Sequence, residues 1–246
     1  NGICGIQKLA DNTALIVWSW NGSTNVRGVV ATVSGTTISL GTVHSRTVTS
    51  QTYNAGRLFR FYDVDANGNN CVSISRNSSN QIDIIGWKWD GSTCVSSDKY
   101  TVTGQNFLAG PIGNTGQDNG FVVVSYNAST TQYDVQTFYI NSTGNVTNIA
   151  GTTVSSVISE APPFMSLPNS NGNVILQYRS NTSIARGMVI KATSSNVSVG
   201  TGTSSPAMPW NPDGPITYMF DSANNILMTI CESESSNFVT AMMIKD

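Results

Sequence analysis

Charge is what this chain has least of: Asp, Glu, Lys and Arg make up 11% of its 246 residues, against about 25% in an ordinary globular domain. The net charge of −2 offers no electrostatic pull on nucleic acid or an anionic membrane. Histidine occurs once, at His44, and no CxxC is present, so a zinc site has no ligand set. A Ser-His-Asp triad would have to use His44, which lies at a Ser/Thr-rich strand end with no GxSxG nearby and reads as an exposed polar residue. No apolar run approaches the roughly 20 residues of a membrane-spanning helix. No P-loop or GxGxxG leads from a strand into a helix, and no helical periodicity occurs anywhere. These gaps leave no cofactor, no metal and no nucleic-acid partner to be expected.

Asn, Ser, Thr and Gly fill the space that charge leaves, and a 39% hydrophobic content is enough for a core. A surface solubilised by neutral polar groups points to an extracellular protein or one on a cell or virion surface. Seven N-x-S/T sequons occur, at Asn21, Asn77, Asn127, Asn141, Asn145, Asn181 and Asn196. Composition alone yields about that many; their placement in or beside turns is the stronger sign of N-glycosylation. Four cysteines leave three pairings open, of which Cys71–Cys94 would staple one repeat and Cys4–Cys231 would join the first repeat to the last. With no initiator Met and no signal peptide, Asn1 reads as a processed or trimmed start.

The apolar residues are organised by repetition. The stretch TALIVWSWNGSTNVRGVVATVSGTTISLGT, residues 13–42, reads as three strands joined by polar turns. The cassette returns as FVVVSYN, YDVQTFYI and NVTNIAGT, and again as VILQYRS, RGMVIKA and NVSVGT. Val29, Ile82, Val135, Met188 and Ala241 mark one position in each second strand at steps of 53 residues. A unit too small to bury its own apolar face, repeated five times, means a stacked repeat architecture. The expected fold is all-β, a single five-bladed β-propeller over 1–246, with repeats near 4–50, 53–103, 107–155, 160–205 and 210–246.

Within each repeat the order is an inner strand (A), two central strands (B, C) and an outer strand (D). The A strands fall at CGIQKL, RLFRFYDVD, the region around Leu108–Ile112, the Pro-rich 162–168 and Ile216–Phe220. Proline limits the fourth of these to a short or edge position. Trp18 and Trp20 share a face, as do Trp87 and Trp89, which suits packing between repeats. Five full periods exceed the chain by 19 residues, so the fifth blade lacks its D strand and FVTAMMI, 238–244, would present an uncharged open edge for self-association.

By its repeat spacing the whole chain resembles five-bladed β-propellers of the kind seen in tachylectin-2-like lectins and in several glycosidase families. The glycosidase resemblance implies carboxylates on inner strands at a channel mouth, roughly 5–10 Å apart. Asp63, Asp221 and Glu160 are the candidates, and Asp63 and Asp221 follow aromatic A strands in equivalent places. DVDANG at 63–68 opens like a calcium loop but lacks the closing Glu, and reads better as a hairpin turn. The lectin resemblance implies connector aromatics as sugar platforms, with Trp210, Tyr53 and Phe164 in such places. Without a catalytic motif, the sequence favours a non-enzymatic structural or interaction module that meets itself, other surface glycoproteins or glycans, as in a filament or particle. A carbohydrate-binding propeller is the alternative, and a glycoside hydrolase comes third.

Overall fold

The computed structural model describes residues 2–20, 22–48, 59–63, 70–91, 93–113, 115, 120–155, 164–166, 168–179, 184–201, 203–209, 217–221, 226–232 and 239–245. Within these, side chains are described except at 2–4, 59–63, 70, 105, 164, 179, 184–185, 203–209, 217–220, 226–232 and 239–245, where the backbone alone is.

The β-branched and aromatic runs form five antiparallel sheets, one per repeat. Sheet one holds β1 (Gly2–Ala10), β2 (Thr13–Trp20), β3 (Asn25–Ser34), β4 (Thr37–Leu40) and β5 (His44–Thr47). Sheet two holds β6 (Phe59–Asp63), β7 (Asn70–Arg76), β8 (Gln81–Trp89), β9 (Cys94–Ser96) and β10 (Tyr100–Thr103). Sheet three holds β11 (Gln105–Pro111), β12 (Gly120–Asn127), β13 (Gln132–Ile140) and β14 (Val146–Val154). Sheet four holds β15 (Phe164–Met165), β16 (Val174–Arg179), β17 (Ile184–Ala192), β18 (Val197–Val199) and β19 (Thr203–Pro209). Sheet five holds β20 (Thr217–Asp221), β21 (Ile226–Glu232) and β22 (Val239–Lys245), paired in that order. The edge expected along 238–244 falls on β22, whose side chains lie outside the described ones. The first strands of consecutive sheets run side by side, β1 by β6, β6 by β11 and β11 by β15.

The proline-rich A position gives a strand of only two residues, β15. Beyond it the Ser166 hydroxyl takes over the ladder, accepting from the Ile175 N–H at 2.9 Å while Ser166 N donates to the Ile175 carbonyl at 2.9 Å. The outer strands depart from expectation. In sheets one, two and four each is broken in two, with β4 and β5 both on β3, β9 and β10 both on β8, and β18 and β19 both on β17. At each break one N–H reaches back to the C strand: Gly41 to the Val30 carbonyl at 2.9 Å, Ser97 to Gly86 at 2.8 Å, Gly200 to Val189 at 2.8 Å. This shared bond aligns Val29 and Met188 with Ile85, so the Ile82 anchor is three residues early, and repeat two carries the offset.

Three interfaces between consecutive sheets make the described core. Between one and two, Leu9, Leu15, Val17, Val26 and Val48 meet Cys71, Ile85, Trp87 and Cys94. Between two and three, Phe138 stacks on Phe121 at 5.4 Å and meets the Tyr100 edge at 5.3 Å. Between three and four, Tyr133 makes edge contacts with Tyr126 at 6.2 Å and Tyr178 at 5.8 Å. β12 is covered from both sides, so its FVVVSY reads as a continuous apolar run rather than an alternation. Trp87 fills the first interface, 1% exposed, its indole N–H donating to Ser73 Oγ at 2.8 Å. Trp18 is half-buried, and Trp20 is 41% exposed with the Arg27 guanidinium 4.8 Å above its ring. Arg46 ties the outer strands of sheets one and two together, donating to Asp98 Oδ1 at 2.8 Å and the Ser96 carbonyl at 2.7 Å.

The Cys71–Cys94 staple is not formed. Cys71 sits opposite Trp87 on one side of β8 and Cys94 opposite Trp89 on the other. Two inter-strand spacings of about 4.8 Å separate them, beyond the roughly 7 Å Cα limit of a disulfide. The Cys4 and Cys231 side chains lie outside those described. Burial, with the Asp90 carboxylate adding, pushes the Cys94 thiol up to about 12. Burial also raises the Tyr178 phenol, with Arg186 opposing. The folded chain resists losing these protons while the unfolded chain loses them at ordinary values. Stability is therefore full below the usual thiol value of 9.0 and falls as pH climbs towards about 12. Thermal melts across that window should show the loss, reduced in Cys94→Ala; an unchanged profile in that variant would remove Cys94 as a cause.

Candidate functional site

The B–C turns of sheets two and three meet at one cleft, and their geometry comes from asparagine. Asn77 Oδ1 accepts from the Ser79 N–H at 2.9 Å and the Gln81 N–H at 3.1 Å, closing an Asx-turn. In sheet three Asn127 Oδ1 accepts from Ser129 N at 3.1 Å and Ser129 Oγ at 2.7 Å. Asn80 completes its turn at φ 57°, the left-handed region asparagine tolerates, and accepts from the Arg76 guanidinium. The connector from sheet two to sheet three passes beneath at Gly104, φ 142°, where a Cβ would lie 2.6 Å from Ser125 Oγ. Only glycine lets the connector run that close.

These turns enclose a cleft of about 170 Å3 lined by Ser79, Asn80, Thr103, Gly104, Tyr126, Asn127, Ala128 and Ser129. Hydroxyls and carboxamides supply the polar groups, and none of the lining side chains is charged; the Tyr126 ring packs on Tyr133 in the interface between sheets three and four. The volume is below the roughly 300–1,000 Å3 of a drug-sized ligand site and suits one small polar unit. Hydroxyls and amides both donate and accept, which matches a ligand whose own groups are hydroxyls.

A second cavity, about 360 Å3, lies between sheets one and two beside the outer-strand breaks, lined by Val30, Gly41, Thr42, His44, Thr93 and Cys94. His44 is half-buried there rather than freely exposed, because β5 pairs back onto β3. Cys94, on the same cavity, has its thiol pushed up to about 12 by burial, which keeps it protonated at neutral pH. Among the described residues no three His, Cys, Asp or Glu side chains gather as a metal site.

The candidates drawn from sequence fare unevenly. Asp63 and Asp221 both close the first strand of their sheets, paired with Cys71 and Ile226; Asp221 is exposed, and the Asp63 side chain is outside those described. Glu160, Trp210 and Tyr53 lie outside the described residues, as does the calcium-like turn beyond Asp63, and Phe164 is described only as backbone of β15. Among the sequons, Asn21 and Asn181 also fall outside; Asn145 and Asn196 are exposed, and Asn127 and Asn141 are half-buried. Asn77 is corrected. It is 0% exposed, with Nδ2 donating to Asp83 Oδ1 at 3.2 Å, so the folded chain has no room for a glycan there. Sequence reading missed the cleft because its lining residues looked like sequons and turn filler; the φ-demanding Gly104 was the available signal.

No family model matches the chain, and no curated protein matches it. Solved structures do. The BP39L lectin from Burkholderia pseudomallei superposes with a TM-score of 0.63 at 9% identity, over 99% of this chain and 66% of its own. A triple arginine-to-alanine mutant of AofleA from Arthrobotrys oligospora superposes with a TM-score of 0.51 at 10% identity, over 98% of this chain and 68% of its own. The chain thus spans about two thirds of the length of each. At such identities the likeness concerns the fold, and with five antiparallel sheets in sequence order it makes this chain an all-β propeller.

Proposed function

We propose that the chain is a non-enzymatic binding propeller that takes a neutral saccharide unit in the cleft between sheets two and three, at an extracellular or virion surface. The observation that carries the reading is the lining of that cleft: hydroxyls and carboxamides, without a charged side chain. None of the lining side chains is charged, which favours a neutral ligand over an ion. Glycoside hydrolysis needs two opposed carboxylates, and the cleft lining contains neither, so binding rather than cleavage is the chemistry assigned to it. The Asn-, Ser- and Thr-rich surface supports the location. The fold likeness to a lectin agrees with the reading and does not carry it.

Thr103 is exposed at the cleft, so Thr103→Arg fills the space without disturbing the core. A neutral-glycan array followed by calorimetry should find a ligand for the natural chain. Thr103→Arg should bind it at least about tenfold more weakly, a loss of about 1.4 kcal/mol, with an unchanged melting temperature. An array with no hit, or a Thr103→Arg chain that binds as well, would overturn the reading.

A further inference from the structure

The cleft between sheets two and three has an uncharged lining, yet each of its walls is held by a charged side chain that does not itself line it. On the sheet-two side the half-buried Arg76 ends β7, and its guanidinium donates to Asn80 Oδ1. A guanidinium only donates, so this contact decides which way round the carboxamide lies. The Asn80 backbone is pinned as well, its N–H donating to the Asn77 carbonyl at 3.2 Å and its carbonyl accepting from Gly104 N at 3.3 Å. What is left for the cleft is Nδ2, whose N–H groups meet no acceptor among the described residues. On the sheet-three side the order is reversed. Asp134 Oδ2 accepts from Asn127 Nδ2 at 3.1 Å, and Asn127 Oδ1 accepts from Ser129 Oγ at 2.7 Å. With its proton committed to Asn127, the Ser129 hydroxyl has only lone pairs to offer. One wall donates and the other accepts.

We propose that Arg76 is the positioning residue of this cleft. By holding Asn80 Oδ1 it commits Nδ2 to donating, so a saccharide lies with an accepting oxygen towards Asn80 and a donating hydroxyl towards Ser129. The proposal rests on the reading of the cleft as a saccharide site and adds the direction in which the ligand lies. Without Arg76 the carboxamide is free to turn over and present either end, and such a wall selects no orientation. The cation also acts on the strength of the contact. A donor on Oδ1 polarises the amide and makes its N–H groups stronger donors, the more so where the guanidinium is half-buried. Ser79 and Thr103 are hydroxyls that rotate to donate or accept, and so adapt to the ligand. Asn80 does not. The selectivity of the cleft sits on Asn80, and Arg76 sets it from outside the lining.

Two measurements test this, the first without a ligand. Nuclear magnetic resonance of isotope-labelled chain shows the Asn80 side-chain amide as the pair of signals lost in Asn80→Asp. That pair should be rigid in the natural chain and in Arg76→Lys, and mobile in Arg76→Met. Equal rigidity in Arg76→Met would overturn the proposal. The neutral-glycan array supplies the second measurement. Arg76→Met should bind the hits of the natural chain at least about tenfold more weakly, and Arg76→Lys should recover most of that loss. Asn80→Asp tolerates the left-handed turn, can pair with Arg76 and offers only acceptors. It should lose the hits with no fall in melting temperature. Hits that survive Arg76→Met or Asn80→Asp undiminished would overturn the proposal and leave the saccharide site standing. An array without a hit would overturn the saccharide reading and the ligand direction that rests on it, while the amide signals still decide whether Arg76 holds Asn80.

Discussion

Trp87→Ala is expected to lower unfolding stability by about 3–5 kcal/mol, the range for removing a fully buried large aromatic. The indole lies in the interface between sheets one and two, donates to Ser73, and has its six-membered ring against Gly28. That glycine is there because of the ring. A Cβ on residue 28 would stand 2.5 Å from Trp87 Cζ3, 2.9 Å from Cη2 and 3.0 Å from Cε3, distances a rigid ring cannot relieve by rotating a flexible end. Gly28→Ala should therefore cost about 1–3 kcal/mol through overpacking. In the Trp87→Ala background the same methyl group enters space the indole has vacated, and its cost should vanish. Urea midpoints at constant slope measure the cycle, with a coupling of about 1–3 kcal/mol expected. Simple additivity would mean that Gly28 is glycine for some other reason.

The residues of that contact also show what sequence could and could not convey. Strand positions were readable because β-branched and aromatic runs alternate with Asn, Gly and Ser turns, and even the two-residue β15 follows from the prolines around it. Arg27-Gly28 was visible as a motif, but its reason lies on another sheet, 59 residues away at Trp87. Repeat two was visibly irregular, yet the size of its offset needed the backbone bond of Ser97 to Gly86. There the glycine has moved to the C strand, where a Cβ would lie 2.6 Å from the Gly144 carbonyl, and a serine stands where Gly41 and Gly200 stand elsewhere. The cysteines suggested a staple because two thiols in one repeat look close in sequence; β8 between them is what holds them apart. Apart from Gly104, nothing in the sequence marked the cleft. Its residues are common turn formers, and what makes them a site is that two turns from different sheets face each other.

The sequons follow the same logic and lead to the second large effect. An Asn-x-Ser/Thr triplet is also what an Asx-turn uses, with the asparagine oxygen accepting from the backbone and hydroxyl two residues on. Asn141 does this with Thr143 N at 3.0 Å, Thr143 Oγ1 at 2.6 Å and Asn145 N at 2.9 Å. Asn77 makes the same turn but has a second task. The Asp83 carboxylate is 0% exposed and accepts from Asn77 Nδ2 at 3.2 Å and Thr101 Oγ1 at 2.9 Å, with Lys99 Nζ 3.7 Å away. Asn77→Ala leaves part of a buried carboxylate without its donor and should cost about 2–4 kcal/mol. Asn141→Ala removes only the turn bonds and should cost about 1 kcal/mol. Chemical denaturation of both variants measures the difference, and equal losses would show that the turn, not Asp83, is what Asn77 supports. In a glycosylating host the same geometry predicts glycan mass at Asn145 and Asn196 and none at Asn77, because Asn77 is fully buried with its Nδ2 against the Asp83 carboxylate. Mass spectrometry of the folded product reads this directly. An occupied Asn77 in material with the natural melting temperature would mean that the buried carboxylate does not need that donor.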